Sequence, residues 1–336
     1  MPLDLLTPAR GGLHCAAGGF CIDPLGEVEP VSVVTHAHSD HARAVADVVH
    51  CSREGERVLR RRVGDGPEIV AHEWGERFRL GKADVSLHPA GHIRGSAQVR
   101  VQADGETWVV SGDYKRESDP TCTPFEVVPC DVFVTEATFA LPIYRWLPTE
   151  VVVQQIYEWW QDNAARGRCS MLFCYALGKA QRVLAGLRAH TERPVYVHGA
   201  VEPLTEAYRE DGVEMLPTMP IEERKDGFVG ELVMAPPSAS RSPWMRRFKN
   251  VQTGFASGWM RVRGVRRGRG WDRGFVLSDH ADWPGIVETV AATGARRLLV
   301  HHGRADALLR YFSQRDVQAA SFHAESDRSS RAVDQE

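Results

Sequence analysis

The segment from Val31 to His41 constrains this chain more than any other stretch. It reads Val-Ser-Val-Val-Thr-His-Ala-His-Ser-Asp-His. Its first four residues are mostly β-branched and predict a short buried strand. Three imidazoles and one carboxylate follow directly, and both groups are ligands that Zn²⁺ accepts in proteins. The segment therefore predicts a strand that ends in a metal site.

Length and composition indicate an ordinary globular protein. The chain has 336 residues, enough for one large domain or two of medium size, and its net charge of −3 indicates no particular partner. The seven cysteines form no Cys-x-x-Cys pair, and their odd number is typical of free thiols in a reducing compartment. Without a long apolar run or a signal-peptide pattern, we expect a cytoplasmic protein that does not contact a membrane.

The order of predicted elements changes near residue 142. Before this point the chain mainly predicts short strands, although Ala42–Val49 has helical spacing. After it, a helix is predicted from the N-cap Thr149 to Arg166, and strands then alternate with helices as in a parallel sheet. From Phe275 the chain returns to strand, helix, strand and helix. The sequence thus predicts an α/β protein with a βα-rich segment in its second half.

Three further strand ends carry candidate metal ligands beside a glycine. They are His92 after Pro89-Ala90-Gly91, Asp113 after Ser111-Gly112, and His301 and His302 before Gly303. A lone histidine beside a glycine is more often an ordinary loop residue. Taken with the first cluster, however, these groups favour one shared site. Ligands drawn from several strand ends form an open site that a substrate can reach.

These residues resemble, in identity and order, the motifs of two related groups of enzymes. Asp23, His36-x-His38-x-Asp40-His41, His92 and Asp113 resemble the four motifs of the metallo-β-lactamase fold. Glu136, His280 and His302 resemble motifs A, B and C of the β-CASP nucleases. The segment from Tyr175 to Arg182, Tyr-Ala-Leu-Gly-Lys-Ala-Gln-Arg, resembles the start of a helix in the inserted domain of those nucleases.

Five further segments resemble the bacterial ligase-associated DNA exonuclease family. They are Ser-Gly-Asp-Tyr-Lys (111–115), Leu-Pro-Ile-Tyr-Arg-Trp (141–146), Ala-Pro-Pro-Ser-Ala (235–239), Ala-Ser-Gly-Trp-Met (256–260) and Phe-Val-Leu-Ser-Asp-His-Ala-Asp-Trp (275–283). The resemblance implies an αββα metallo-β-lactamase sandwich formed by residues 1–142 and 274–325. It also implies an inserted α/β β-CASP domain at 143–273 and a frayed tail at 326–336.

The resemblance also implies two zinc ions, with Mn²⁺ as a metal that supports activity. One zinc would be held by His36, His38 and His92, and the other by Asp40, His41 and His302. Asp113 would bridge both ions, and Asp23 would orient the histidines. His302 is the expected ligand because it directly precedes Gly303. His301 lies one position earlier on the same strand and should point the other way.

The implied reaction is hydrolysis of phosphodiester bonds by a hydroxide that the two metals activate. Asp40 and Asp113 would take part as catalytic metal ligands. His280 would act as the general acid that protonates the leaving oxygen. Glu136 would hold His280 oriented and charged; the alternative is a surface carboxylate that follows a strand.

Arginines and tryptophans are interleaved between Arg241 and Arg273. Arginines contact phosphates and aromatic rings stack on bases, a combination used for single strands. The alternative is a solvated basic loop with tryptophans in the core. The candidate nucleic-acid contacts are Lys115, Lys179, Arg182, Arg261, Arg263, Arg266 and Trp259.

Four functions remain to be compared. We favour a zinc-dependent exonuclease that acts on single-stranded DNA or DNA ends, in nucleoid-associated repair beside an ATP-dependent DNA ligase and a helicase. The second is an RNA-processing β-CASP exo- or endoribonuclease, since histidine in motif C goes more with the RNA enzymes. A small-molecule hydrolase leaves the inserted domain unexplained. A metal-free scaffold that binds nucleic acid is disfavoured because every ligand position is filled.

Overall fold

A computed structural model describes residues 4–10, 12–27, 29–221, 227–262 and 270–322. These residues form a mixed α/β structure with three sheets. The chain divides into two compact units. The first contains the residues up to Pro142 and the chain from His280 onward, and the second contains Ile143–Asp279.

The strands are numbered along the chain. They are β1 (Thr7–Ala9), β2 (Gly12–Cys15), β3 (Phe20–Ile22), β4 (Val31–Val33), β5 (Val48–Ser52), β6 (Glu68–His72), β7 (Arg77–Leu80), β8 (Ala83–Pro89), β9 (Ala97–Ala103), β10 (Glu106–Val110), β11 (Val132–Ala137), β12 (Cys169–Phe173), β13 (Val195–Val197), β14 (Thr218–Pro220), β15 (Leu232–Ala235), β16 (Val251–Ala256), β17 (Arg273–Phe275), β18 (Arg297–Gly303) and β19 (Gln318–Ser321).

The α-helices are α1 (Glu56–Val63), α2 (Thr149–Ala165), α3 (Lys179–Leu187), α4 (Glu202–Glu210), α5 (Trp283–Thr293) and α6 (Asp306–Phe312). Short 3₁₀ helices occur at Arg53–Gly55, Pro237–Arg241, Pro243–Arg247 and Gly258–Arg261. Among the described residues, no helix is both long and apolar enough to cross a bilayer.

The first unit contains two mixed sheets. One has the order β1-β2-β3-β4-β5-β6, with β3 to β6 parallel. The other has the order β19-β18-β11-β10-β9-β8-β7, with β10, β11, β18 and β19 parallel. Both sheets contribute apolar side chains to a common core, for example Ile22 and Val33 from the first and Val99 from the second. This arrangement is compatible with an α/β sandwich.

Helices cover the other face of the second sheet. Along β10, Trp108 and Val110 point into the core between the sheets, whereas Val109 points to the opposite face. There it joins a second core with Ile286 of α5 and Leu308 of α6. The alternation of side chains along the strand therefore supplies both cores at once.

The second unit is built around a parallel sheet of six strands, in the order β14-β13-β15-β12-β16-β17. Its central strand β12 is buried over its whole length. Parallel strands need both faces covered, and along the chain α3 connects β12 to β13 and α4 connects β13 to β14, as crossover helices do. That this unit is a β-CASP domain stays a prediction.

The structure changes three details of the sequence prediction. Ala42–Val49 is not helical, because Val48 starts β5, which pairs with β4 and β6 on its two sides. Pro148, not Thr149, is the N-cap of α2. The second unit ends at Asp279 and not at 273, because β17 pairs with β16 and belongs to its sheet. The expected tail at 326–336 lies outside the described residues.

A pair of buried histidines joins β5 to β6. Nδ1 of His50 lies 2.8 Å from Nε2 of His72, and the two rings are stacked. Both rings also stack on Phe78. Burial, followed by repulsion from His72, lowers the pKa of His50 from 6.5 to about 4. The folded state therefore holds this imidazole neutral.

This depressed pKa predicts acid sensitivity. Between about pH 6.5 and 4 the unfolded chain binds a proton at position 50 that the folded chain rejects, so stability falls as the pH is lowered. At pH 5 the loss relative to pH 7.5 should be about 2 kcal/mol. His50→Phe keeps the stacked ring and should remove most of this loss. Urea unfolding of both proteins at the two pH values, with chelator present, measures it; equal losses would contradict the assignment.

Candidate metal centre

The candidate ligands of the first unit come from segments at the ends of several strands. Asp23 directly follows β3, and the histidine segment 36–41 follows β4. His92 comes three residues after β8 and Asp113 three residues after β10. His302 is the next-to-last residue of β18. All of these side chains except Asp40 and His302 are buried.

Four donor atoms form a compact cluster: His36 Nε2, His38 Nδ1, His92 Nε2 and Asp113 Oδ2. The His38 nitrogen lies 3.1 Å from each of the other two imidazole nitrogens. The Asp113 oxygen lies 3.5 Å from His36 Nε2 and 3.7 Å from His92 Nε2. Ligands at zinc bond lengths on the corners of a tetrahedron are about 3.3–3.4 Å apart. The donor set therefore fits one tetrahedral metal ion.

The second expected set is brought together more loosely. His41 Nε2 lies 3.6 Å from Asp113 Oδ2 and 3.8 Å from Asp40 Oδ2. The rings of His41 and His302 are 5.6 Å apart. The Asp40 side chain is 55% exposed, so this half of the centre is open to solvent. Residues that leave a coordination position accessible are typical of catalytic metal sites.

His302 has a strained backbone. Its φ is +65°, a left-handed backbone conformation that residues other than glycine rarely adopt. The following Gly303 is also left-handed, and a Cβ there would lie 2.3 Å from the carbonyl carbon of Ala137. His301 turns away and places Nδ1 2.9 Å from the carbonyl oxygen of Phe322. Strain of this kind is found mainly at functional sites.

Asp113 is the group that both sets share. Its Oδ2 atom lies within 3.5–3.7 Å of nitrogens of His36, His92 and His41. Burial, followed by repulsion from Glu136, raises the pKa of Asp113 to about 7, against the opposing effect of His41 and His280. A bound cation would favour the carboxylate form instead.

The two histidines that flank this carboxylate have opposite shifts. Burial, followed by the imidazoles of His41 and His38, lowers the pKa of His36 well below its ordinary value. His41 is equally buried, but the carboxylates of Asp113 and Asp23 outweigh burial and raise its pKa well above the ordinary value. Neutral imidazole is the form that binds a metal, so His36 is already in that form.

Thr35 contacts two of the candidate site residues, and the sequence analysis did not single it out. Its backbone N–H donates to Asp23 Oδ1 at 2.7 Å, and its hydroxyl donates to Asp23 Oδ2 at 2.6 Å. The same hydroxyl oxygen lies 3.0 Å from His36 Nδ1, and His41 Nδ1 lies 2.7 Å from Asp23 Oδ2. Both imidazoles therefore direct Nε2 toward Asp113. The only sequence signal was a hydroxyl directly before the first histidine.

Glu136 and His280 form a second pair beside Asp113. His280 Nδ1 lies 2.8 Å from Glu136 Oε2 and 4.0 Å from Asp113 Oδ2. Thr138 and the backbone N–H of Tyr114 donate to the two oxygens of Glu136 at 2.6 and 2.8 Å. Glu136 is therefore fixed, and it is buried rather than on the surface. Asp113, Glu136 and His280 are also close enough to hold a metal as a trio.

Three of the expected nucleic-acid contacts are buried ion pairs. Lys115 Nζ lies 2.6 Å from Glu117 Oε2. Lys179 Nζ and Arg182 NH1 lie 2.6 and 3.0 Å from the two oxygens of Asp279. These cations are already neutralised by protein carboxylates and shielded from solvent. Their geometry argues against the predicted direct contacts with phosphate.

The remaining expected contacts lie in the second unit. Arg261 is exposed, and its Nε donates to the carbonyl oxygen of Ile143 at 3.2 Å. Trp259 is partly buried, packs on the core of that unit and meets the Tyr144 ring edge-on. Arg263 and Arg266 lie outside the described residues. A substrate contact by Arg261 or Trp259 stays a prediction.

Comparison with known proteins gives several relatives, although no family model matches the chain. A "Probable DNA ligase" of Opitutus terrae is 31% identical over 294 residues, which are 86% of this chain and 28% of the relative. A ribonuclease of Thermus thermophilus is 29% identical over 53% of this chain and 48% of the relative. An RNase J-like protein of Methanocaldococcus jannaschii is 24% identical over 36% of this chain and 31% of the relative.

The chain thus spans less than half the length of each of these relatives. Their names point to a metallo-β-lactamase/β-CASP nuclease family. A crystal structure of a protein of unknown function from Enterococcus faecalis has the same general fold. Its TM-score is 0.56 at 12% identity, over 81% of this chain and 75% of that one.

The bracing role of Thr35 can be tested by replacing it with valine, which has the same shape without the hydroxyl. Thr35→Val should weaken metal affinity about 10- to 100-fold, because His36 and Asp23 lose their shared partner. Competition with a chromogenic chelator measures the affinity. Thr121→Val is the matched control, since Thr121 is also buried and donates to a carboxylate, that of Asp119. An equal effect of both substitutions would contradict the role.

Proposed function

We propose that this chain is a zinc-dependent nuclease of the metallo-β-lactamase/β-CASP family that hydrolyses phosphodiester bonds of DNA. It acts as an exonuclease on single strands or ends, in repair associated with a DNA ligase. The observation that carries the proposal is the position of Asp113. One carboxylate oxygen lies at ligand-to-ligand distance from imidazoles of both expected metal sets.

The donor atoms favour zinc. Nitrogen and carboxylate ligands in a tetrahedral arrangement suit Zn²⁺, and Mn²⁺ accepts the same groups. His36, His38, His92 and Asp113 would hold the first ion, and His41, Asp40, His302 and Asp113 the second. Two bound cations would supply Lewis acidity, which stabilises charge on the phosphate and makes water a better nucleophile.

The protein's own part in the reaction is to supply a proton. With Nδ1 of His280 bonded to Glu136, Nε2 is the nitrogen that can protonate the leaving oxygen. Glu136 is held by Thr138 and Tyr114, so the imidazole is oriented before substrate binds. The His280 side chain is 20% exposed, so it is not sealed from solvent.

The choice of DNA is supported by the relative from Opitutus terrae. A protein with ligase in its name contains a segment similar to 86% of this chain. Segments that are joined to a ligase in one polypeptide usually serve the same process as the ligase. We therefore propose that this chain acts together with an ATP-dependent DNA ligase, and with a helicase as a further partner.

An RNA substrate is the second candidate. The relatives from Thermus thermophilus and Methanocaldococcus jannaschii have ribonuclease names. Histidine at position 302 also agrees with the RNA-processing members of the group. The DNA proposal is preferred because its relative matches the larger part of this chain.

Glu136→Gln tests the proton donor. Glutamine keeps the shape but cannot stabilise a charged imidazole, so kcat should fall about 100-fold or more. Metal content should stay at the wild-type value, because in this assignment Glu136 is not a ligand. Steady-state hydrolysis and elemental analysis of the same samples measure both. Loss of metal together with activity would instead assign Glu136, Asp113 and His280 to a metal site.

The substrate can be identified with end-labelled single strands of DNA and RNA of equal sequence. With Zn²⁺ or Mn²⁺, the wild-type protein should shorten DNA progressively from one end and leave RNA largely intact. Asp113→Ala should be inactive, because both metal sets lose their shared ligand. Cleavage of RNA at an equal or higher rate would favour the ribonuclease candidate. Cleavage of neither strand would overturn the nuclease proposal.

A further inference from the structure

Two arginines hold the backbone of the histidine segment from outside. Arg62, near the end of α1, donates from Nε to the carbonyl oxygen of Ala37 at 3.0 Å. Arg43 donates from Nε to the carbonyl oxygen of Ser39 at 3.4 Å. Ala37 and Ser39 alternate in the chain with His36, His38 and Asp40. Each guanidinium therefore lies beside residues of the candidate metal centre, and the shorter bond holds Arg62 more firmly than Arg43.

These arginines differ from their neighbours in lacking an acidic partner. Arg60, on the same helix as Arg62, pairs with Glu56 at 3.2 Å. Arg53 pairs with Glu56 and Glu73, and Arg94 pairs with Glu54. Over the described part of the chain, neither Arg43 nor Arg62 has a carboxylate within ion-pair distance, and both side chains are exposed. No carboxylate among the described residues therefore neutralises their positive charge.

The hydrogen bonds to carbonyl groups use only part of what a guanidinium offers. Arginine has five N–H donors in a planar fork, and the Nε bond leaves the terminal NH groups available. It also fixes the plane of the group, so less side-chain entropy is lost when a ligand binds. Two free ends of the fork match the non-bridging oxygens of a phosphate.

We propose that Arg43 and Arg62 bind successive phosphates of a nucleic-acid strand whose scissile bond lies at the metal centre. This inference rests on the nuclease function proposed above. The carbonyl groups of residues 37 and 39 are within about 7 Å of each other, so one strand can contact both guanidiniums. In this proposal Arg43 and Arg62 make the phosphate contacts that the sequence analysis expected of Lys115, Lys179 and Arg182. The charges of those three residues are already paired with carboxylates of the protein.

The contact should show itself in the salt dependence of strand binding. Each lost phosphate contact reduces the slope of log affinity against log salt by about 0.7 for single strands. Arg43→Gln and Arg62→Gln should each lower the slope by about this amount, and the double variant by about twice as much. At moderate salt the double variant should bind about three- to tenfold more weakly.

The probe is a fluorescein-labelled single-stranded oligonucleotide with phosphorothioate linkages, followed by anisotropy in increasing NaCl. Arg60→Gln is the matched control, since Arg60 is on the same helix but ion-paired, and it should leave the slope unchanged. Arg62→Lys keeps the charge without the fork, so it should retain the slope and lose part of the affinity. Unchanged slopes in Arg43→Gln and Arg62→Gln would overturn the proposal.

Two further readouts separate this inference from the nuclease function itself. Hydrolysis of bis(p-nitrophenyl) phosphate, a small phosphodiester too short to contact both arginines, measures the nuclease function of the wild-type protein separately from strand binding, and the Arg60→Gln control should leave it unchanged. A wild-type protein that shows the expected slopes but hydrolyses no phosphodiester would support the strand contact and overturn the nuclease proposal. An Arg62→Gln protein that loses metal and keeps the wild-type slope would show that Arg62 only braces the segment.

Discussion

The centre of the first unit depends on where the backbone places Asp113. The preceding Gly112 has a φ of +54°, and a Cβ at that position would lie 2.8 Å from Cβ of Thr35. The two segments can approach each other this closely only because residue 112 has no side chain. Through this approach Asp113 reaches His36 and His41, while Thr35 remains bonded to Asp23. The electrostatic interactions of the site therefore depend on a steric constraint at one glycine.

The pKa values of the buried groups at the centre are shifted in conflicting directions by burial and by neighbouring charges. Burial disfavours the charged form of every group, and the raised pKa of Asp113 and lowered pKa of His36 both express that cost. His41, between Asp113 and Asp23, instead favours its charged form. A divalent cation among Asp113, His36 and His41 would favour the carboxylate form of Asp113 and the neutral form of the imidazoles.

The sequence predicted the parts of this structure that short-range patterns encode. The strand at Val31–Val33 is confirmed, because a run of β-branched residues before a polar turn has few other solutions. The helix α2 is confirmed within one residue of its predicted end. The candidate ligands could be proposed because they follow strand ends, and the structure brings His36, His38, His92 and Asp113 together, but their role as metal ligands stays a prediction. At Ala42–Val49 the helical spacing was misleading, since the two neighbouring strands determine the conformation from Val48 onward.

The sequence could not predict hydrogen-bond and ion-pair partners that are distant along the chain. Arg62 reads as one of four arginines on α1, and only the bond to Ala37 distinguishes it. Lys179 reads as a cation at a helix start, but its partner Asp279 is 100 residues away. Asp279 is buried with two cations, Lys179 and Arg182, and this shared pairing restricts which substitutions the unit can accept. Replacing one of the three leaves a buried charge unpaired and lowers the free energy of unfolding by about 3–5 kcal/mol. Replacing all three with apolar residues can leave the stability unchanged. Positions 179, 182 and 279 should therefore vary together among related sequences or hardly at all.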